Sequence, residues 1–228
     1  MSAGARRDPV ITIDGPAGAG KSTVARELAR RLGFRLLDTG GMYRGLAWAV
    51  KQAGAVPEEG PALRAVLDRT TVELVEDRVF VNGRDVSQEI RAPEIGELTS
   101  VLTALRSVRD KMTPLQRALA AAGGVVLEGR DTGSVVCPDA ELKFYLDADL
   151  EARVRRRQEE LAQRGIRRDL DAVRVEVIRR DRQDMGRALA PLVKPAGAVV
   201  VDGTGLEPED VVERMLEAVE RVRCCTRC

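Results

Sequence analysis

Short apolar runs recur along the chain, and each is followed by a stretch with helical spacing. Five of the runs read as buried strands, at 10–14, 34–38, 124–128, 141–147 and 197–202. Apolar positions three and four apart mark helices at 21–32, 41–53, 106–122, 150–163 and 170–189, with a last one at 207–222. This alternation predicts an α/β fold of three layers around a five-stranded parallel sheet. Ligands of such folds bind beyond the carboxyl ends of the strands. One segment breaks the rhythm. Thr71–Val75 and Arg78–Val81 read as antiparallel strands about Glu76-Asp77, and Asn82-Gly83 turns the chain toward Arg84-Asp85-Val86. A small antiparallel sheet does not fit into a parallel core. Residues 61–104 therefore read as an inserted subdomain within a core made of 9–60 and 105–223, with flexible tails at 1–8 and 224–228.

The most informative junction lies between the first strand and the first helix. Gly15-Pro16-Ala17-Gly18-Ala19-Gly20-Lys21-Ser22 has the G-x-x-x-x-G-K-[ST] spacing of a phosphate-binding loop. Glycines allow successive N–H groups to turn inward around an anion, and the helix N-terminus adds positive potential at the same place. Lys21 can reach β- and γ-phosphates, and Ser22 can ligate Mg²⁺.

Composition narrows the chemistry. The chain of 228 residues has a net charge of +1, which gives no bulk electrostatic case for nucleic acid or an anionic membrane. No apolar run approaches a membrane span, and residues 1–9 lack the apolar stretch of a secretory leader, so a soluble cytoplasmic protein is expected. Histidine is absent, which excludes imidazole acid–base chemistry and His-bound metals. Only five lysines occur among 37 basic residues. The arginine excess discounts any single Arg as a signal, whereas Lys21 gains weight by being rare. Cys137 stands in an apolar stretch and reads as packed. Cys224, Cys225 and Cys228 read as incidental thiols of the tail.

Three further groups lie at predicted strand ends or late in a helix. Asp38-Thr39-Gly40-Gly41-Met42-Tyr43-Arg44 combines a carboxylate, a hydroxyl and a guanidinium at a strand-to-helix turn. It suits either phosphate binding or a simple helix cap with a solvated Arg. Val125–Leu127 runs into Glu128-Gly129-Arg130-Asp131, which could meet Mg²⁺, hold a ligand's hydroxyls, or form a plain salt bridge. Arg180, Asp184 and Arg187 share one helix face. Arginines crowd 150–168, as in a lid that closes over phosphates or merely in a charged surface.

Together these residues resemble the bacterial cytidylate kinases, members of the nucleoside monophosphate kinase family with a P-loop NTPase fold. The resemblance runs from about Val10 to Val222. It rests on Ile11–Pro16, the phosphate loop, Asp38-Thr39-Gly40 with Tyr43-Arg44, Asp85-Val86-Ser87 with Glu89-Ile90-Arg91, Glu128–Asp131, Pro138-Asp139-Ala140, Arg180-Asp181 and Ala188–Leu192. It implies phosphoryl transfer from ATP to CMP or dCMP, with Mg²⁺, and an enlarged acceptor subdomain where the antiparallel sheet is predicted. By matching positions, Gly15, Pro16, Ala17, Gly18, Ala19, Gly20, Lys21, Ser22 and Thr23 would hold the ATP phosphates. Arg153, Arg156 and Arg157 look like arginines of a helical lid at about 153–168. Asp38, Thr39, Arg44, Arg109 and Arg130 would serve CMP, with Arg44 and Arg130 near its phosphate. Ser100 would help read the cytosine. Asp131 would bind sugar hydroxyls with Asp184 and Arg187 nearby, and Arg180 would contact phosphates at the transferring end. Lys21, Arg130 and Arg180 are thus the residues expected to act on the moving group.

Two positions depart from the family pattern R-D-x-R-D-x-N-R, with Gln183 in place of Arg and Gly186 in place of Asn. Within the predicted helix 170–189, Gly186 should cost about 1 kcal/mol relative to Ala. The rival readings are a kinase for UMP or another acceptor, a GTPase-type switch, and an assembly ATPase. Asp38-Thr39-Gly40-Gly41 does match D-x-x-G, but the guanine-reading N-K-x-D is impossible because Asn82 is the only Asn. No segment reads as a long apolar interface, so a monomer is expected.

Overall fold

The computed structural model describes residues 7–225, with side chains through Val222. The parallel sheet is built from β1 (Val10–Asp14), β2 (Arg35–Asp38), β6 (Val125–Gly129), β7 (Leu142–Asp147) and β8 (Val199–Asp202). Their spatial order is β2-β6-β1-β7-β8, with every neighbouring pair parallel. β1 and β6 are buried at every position, which is why they read as near-continuous apolar runs, whereas β7 alternates buried and half-buried residues. Ile11, Ile13, Val126 and Phe144 are fully buried, and each such side chain contributes roughly 1.5–3 kcal/mol on burial.

On one face of the sheet, α1 (Lys21–Leu32) and α8 (Pro208–Cys225) pack over Ile11, Val126 and Phe144. On the other lie α2 (Thr39–Gln52) and α5 (Arg106–Ala120). The antiparallel sheet expected in the insert is present as β3 (Val72–Val75), β4 (Arg78–Val81) and β5 (Arg84–Asp85), in that order. Glu76, Asn82 and Gly83 have φ of 54°, 49° and 77° at its two turns, the left-handed backbone that tight hairpin turns demand. The sheet's Val72, Val79 and Val81 join Leu37 and Leu127 in one core with α2. Gly45 permits this approach, because a Cβ there would stand 2.9 Å from Val79 Cγ1.

Several boundaries differ from the sequence reading. The insert also holds two helices that periodicity did not single out, α3 (Pro61–Arg69) and α4 (Pro93–Leu102), each opened by a proline at its first turn. Helix α5 runs straight through Pro114. A π-helical turn, Thr132–Val136, follows β6. Helices α6 (Leu150–Gln163), over the segment expected to form a lid, and α7 (Leu170–Met185) are joined by a small core of Val154, Leu161, Val173 and Val177. Helix α7 stops at Met185 rather than at 189. Gly186 is its cap, with φ −85° and its N–H on Arg182 O, so the expected penalty of a glycine inside the helix does not arise. Residues 1–6 of the expected N-terminal tail lie outside the described residues, but Arg7 is pinned to Ala121 O at 2.6 Å. The backbone of Cys224 and Cys225 continues α8; their side chains, and Cys228 altogether, lie outside the described residues. Cys137 is half-buried, and that burial pushes its thiol pKa up, away from thiolate chemistry. Among the described residues no helix is long and apolar enough to cross a membrane.

Candidate functional site

The carboxyl ends of β1, β2 and β6 open into one cleft of about 1430 Å³ between the insert and helices α6 and α7. Its floor is the loop after β1. Gly15, Gly18 and Gly20 have φ of 154°, 75° and 92°, a backbone that side-chain-bearing residues resist. At Gly15 there is a second constraint, because a Cβ would sit 1.9 Å from Leu146 O. Gly15→Ala is therefore expected to cost at least ~3 kcal/mol through a clash with backbone that cannot move aside. A fall in chemical-denaturation midpoint measures this.

Lys21 is 5% exposed and donates to Pro16 O at 2.7 Å. Burial, reinforced by Arg130, pushes its pKa down to about 7. A bound triphosphate would favour the charged form and raise that value. Binding of metal-free ATP near pH 8 should then take up a proton, and affinity should weaken as pH rises through the window above about 7. Calorimetry in buffers of different ionisation enthalpy reads the uptake directly.

Ser22 Oγ donates to Glu128 Oε1 at 2.7 Å. The parallel register sets Asp38 beside Glu128. Burial, then the neighbouring Asp38, pushes the Glu128 pKa up. A hydroxyl and two carboxylates make a hard-oxygen corner at the phosphate loop, a donor set that suits Mg²⁺. Thr39 Oγ1 is tied to Glu128 O at 2.7 Å, and Asp38 caps α2 through Gly41 N–H at 2.6 Å.

The wall opposite the loop is cationic. Arg44 is held by Asp38 at 2.9 Å and Arg130 by Asp184 at 2.8 Å, while Arg187 bonds the other oxygen of Asp184. Arg109 and Asp131 form a buried pair, and Arg109 also donates to Thr103 O at 3.1 Å. Ser100 lines the cleft from α4, bonded back to Gly96 O at 3.3 Å. Arg180 differs from these. It lines the cleft and its Nε is buried, yet among the described residues it has no hydrogen-bonded or ion-paired partner. Burial and Arg130 push its pKa down to about 10, so an anion placed there would relieve both effects.

The three arginines expected to serve a lid, Arg153, Arg156 and Arg157, part company. Arg156 lines the cleft and reaches Ala19 O at 3.3 Å and Gly203 O at 2.6 Å. Arg157 also lines it, held by Glu160 and Glu176 at 3.0 and 2.9 Å. Arg153 is absent from the cleft wall. Its guanidinium lies behind the loop, against Ala17 O at 3.0 Å and the carboxylate of Asp181. Gly15 and Pro16 likewise form the loop's root rather than its lining, while Ala17, Gly18, Ala19, Gly20, Lys21, Ser22 and Thr23 face the cleft.

Three acidic residues support this arrangement, and of them Glu128 was already a candidate from its place at a strand end, whereas the supporting contacts of Asp181 and Asp14 emerge only from the structure. Glu128 holds Ser22. Asp181 holds Ala17. Asp14, fully buried, accepts from Thr132 N–H, Thr132 Oγ1 and Gly133 N–H at 2.8, 2.8 and 2.7 Å. It thereby secures the π-helical turn just after Arg130 and Asp131. A carboxylate closing an apolar strand, as Asp14 and Glu128 do, was the available signal.

Comparisons with known proteins agree with one another. The profile of the family described as cytidylate kinase matches residues 11–221. A cytidylate kinase of Geobacter sulfurreducens is 46% identical, over 98% of this chain and 97% of its own. One from Caldanaerobacter subterraneus subsp. tengcongensis is 45% identical, over 92% of this chain and 94% of its own. Among solved structures, an uncharacterized protein from Eubacterium ventriosum shares the fold, with a TM-score of 0.53 at 11% identity over 93% of this chain and 99% of its own.

Proposed function

The chain belongs to the cytidylate kinase family and transfers the γ-phosphoryl group of ATP to CMP; from that premise we propose how its cleft divides the work between the two substrates. The N–H groups of Gly18 to Thr23 and the Lys21 ammonium take the ATP phosphates, with Gly15, Pro16 and Ala17 shaping the loop beneath them. Arg156 and Arg157 approach the donor from the lid. Ser22, with Glu128 and Asp38 behind it, would hold Mg²⁺, which when bound neutralises charge on the donor phosphates. Arg44 and Arg130 grip the CMP phosphate. Thr39, Ser100, Arg109, Asp131, Asp184 and Arg187 frame the nucleoside, and Arg180 stands between donor and acceptor.

What carries this reading is that Lys21, Arg44, Arg130 and Arg180 all face one cleft. The acceptor is already an anionic phosphate oxygen, so no general base is needed. Catalysis consists of alignment and charge stabilisation. The guanidiniums offset the repulsion between two phosphate-bearing substrates, and closure of the lid excludes water that would otherwise hydrolyse ATP. Use of dCMP follows from the pairing of the carboxylates. Asp131 and Asp184 already bond to Arg109, Arg130 and Arg187, so a missing 2′-hydroxyl leaves no buried group unpaired. The chain is taken to act as a monomer without nucleic acid or membrane.

The test is ADP production from ATP with Mg²⁺ against CMP, dCMP, UMP, AMP and GMP, each compared with no acceptor. Turnover with CMP and dCMP alone supports the assignment. Faster turnover with another nucleoside monophosphate overturns the base-facing residues, and hydrolysis independent of acceptor overturns the whole acceptor side.

A further inference from the structure

The phosphate loop is held from behind by two side chains that do not line the cleft. Asp181 on α7 is 7% exposed and accepts from Ala17 N–H at 3.0 Å through Oδ1. Its Oδ2 is paired with Arg153 of α6. Arg153 sends the same guanidinium to Ala17 O at 3.0 Å and its Nε–H to Ala148 O at 3.0 Å. Gly18 lies so close that a Cβ on it would stand 2.5 Å from Arg153 O. The loop, the end of β7 and both of these helices thus meet at one side chain, that of Arg153.

Two consequences follow. Pro16 has no amide hydrogen, and that of Ala17 is engaged by the protein's own carboxylate, so donors for a phosphate begin at Gly18. The same bond also sets α7 against the cleft. The inward stripe of α7 runs Val173, Val177, Asp181, Asp184. It is apolar where it builds the core shared with α6 and acidic where it passes the loop and Arg130. Arg180 adjoins Asp181, so its placement in the cleft depends on that register.

We propose that Asp181, with Arg153 as its counter-ion, is a positioning residue for the donor nucleotide. It holds the loop in its anion-receiving shape before ATP arrives and ties that shape to helices α6 and α7. Neither side chain touches a substrate. The inference rests on the loop being the ATP phosphate site.

Asp181→Asn keeps an acceptor for Ala17 N–H but removes the charge that holds Arg153. The KM for ATP should rise about tenfold while that for CMP stays within about twofold, since a charge-assisted hydrogen bond on the donor side alone is lost. An unchanged KM for ATP in the folded variant overturns the proposal. So do equal rises for both substrates, which a general loosening of the fold would produce. Should Asp181→Asn fail to fold, Arg153→Lys retains the charge but not the fork that reaches three carbonyl and carboxylate groups at once. It should raise the KM for ATP alone by about threefold, and no rise would again overturn the idea. Lys21→Met run alongside tests the premise: undiminished ATP binding and turnover in that variant would remove the donor-site reading, and the role of Asp181 with it.

Discussion

Lys21→Met is expected to lower kcat with ATP and CMP by at least about a hundredfold to a thousandfold, the scale of losing one preorganised charge donor at a transferring group. The substitution is close to isosteric, and it removes a cation that is 5% exposed. Burial disfavours the charged lysine, and Arg130 adds to this. Thermal stability should therefore hold or rise while turnover collapses. The ammonium donates to Pro16 O, which keeps it at the loop. Full CMP turnover in a folded Lys21→Met protein would overturn the assignment of the loop.

Arg130→Ala should act on the other substrate. Its guanidinium bridges Asp184 and Gly129 O, at 2.8 and 3.2 Å, and faces the cleft. Losing it should reduce kcat/KM for CMP by about a hundredfold or more, as expected for a charged contact that must overcome phosphate–phosphate repulsion. ATP affinity should survive, because Arg130 is one of the groups that press the Lys21 pKa downward; without it, the charged lysine is easier to keep. Arg130→Lys should not restore activity fully. A point charge cannot serve Asp184 and a phosphate together as a fork does. Steady-state kinetics with each substrate varied in turn separate the two effects, and a loss falling mainly on ATP would contradict the division of the cleft.

The parallel core was legible almost residue by residue. β1 and α1 lie where the apolar run and the helical spacing set them, because strands buried on both faces tolerate little except apolar residues. The hairpin of the insert was equally plain from Asn82-Gly83. Helices α3 and α4 escaped notice, being short and lying on either side of that hairpin. Helix α7 was drawn too long because Ala188 and Leu189 extend an apolar spacing that the backbone does not follow beyond Gly186.

The acidic supports were harder to read. Asp181 sits among alternating charges in sequence, where a solvated helix face is the ordinary outcome. Its value comes from Ala17, a residue 164 positions away.

The sequence by itself determined the phosphate loop, the alternation of strands and helices in the parallel core, and the lack of any histidine chemistry, since each depends on local spacing or on composition. Only the tertiary structure decided what each arginine does. Arg153, Arg156 and Arg157 share one helix and one chemistry, yet one grips the loop from behind, one spans the cleft wall to Gly203 O, and one rests on Glu160 and Glu176. Of Lys21, Arg44, Arg130 and Arg180, which line the cleft together, Arg180 is the one without a hydrogen-bonded or ion-paired partner among the described residues. A guanidinium's role is set by which carboxylates and carbonyls the fold brings within about 3 Å of it, and those come from strands and helices far apart in the chain.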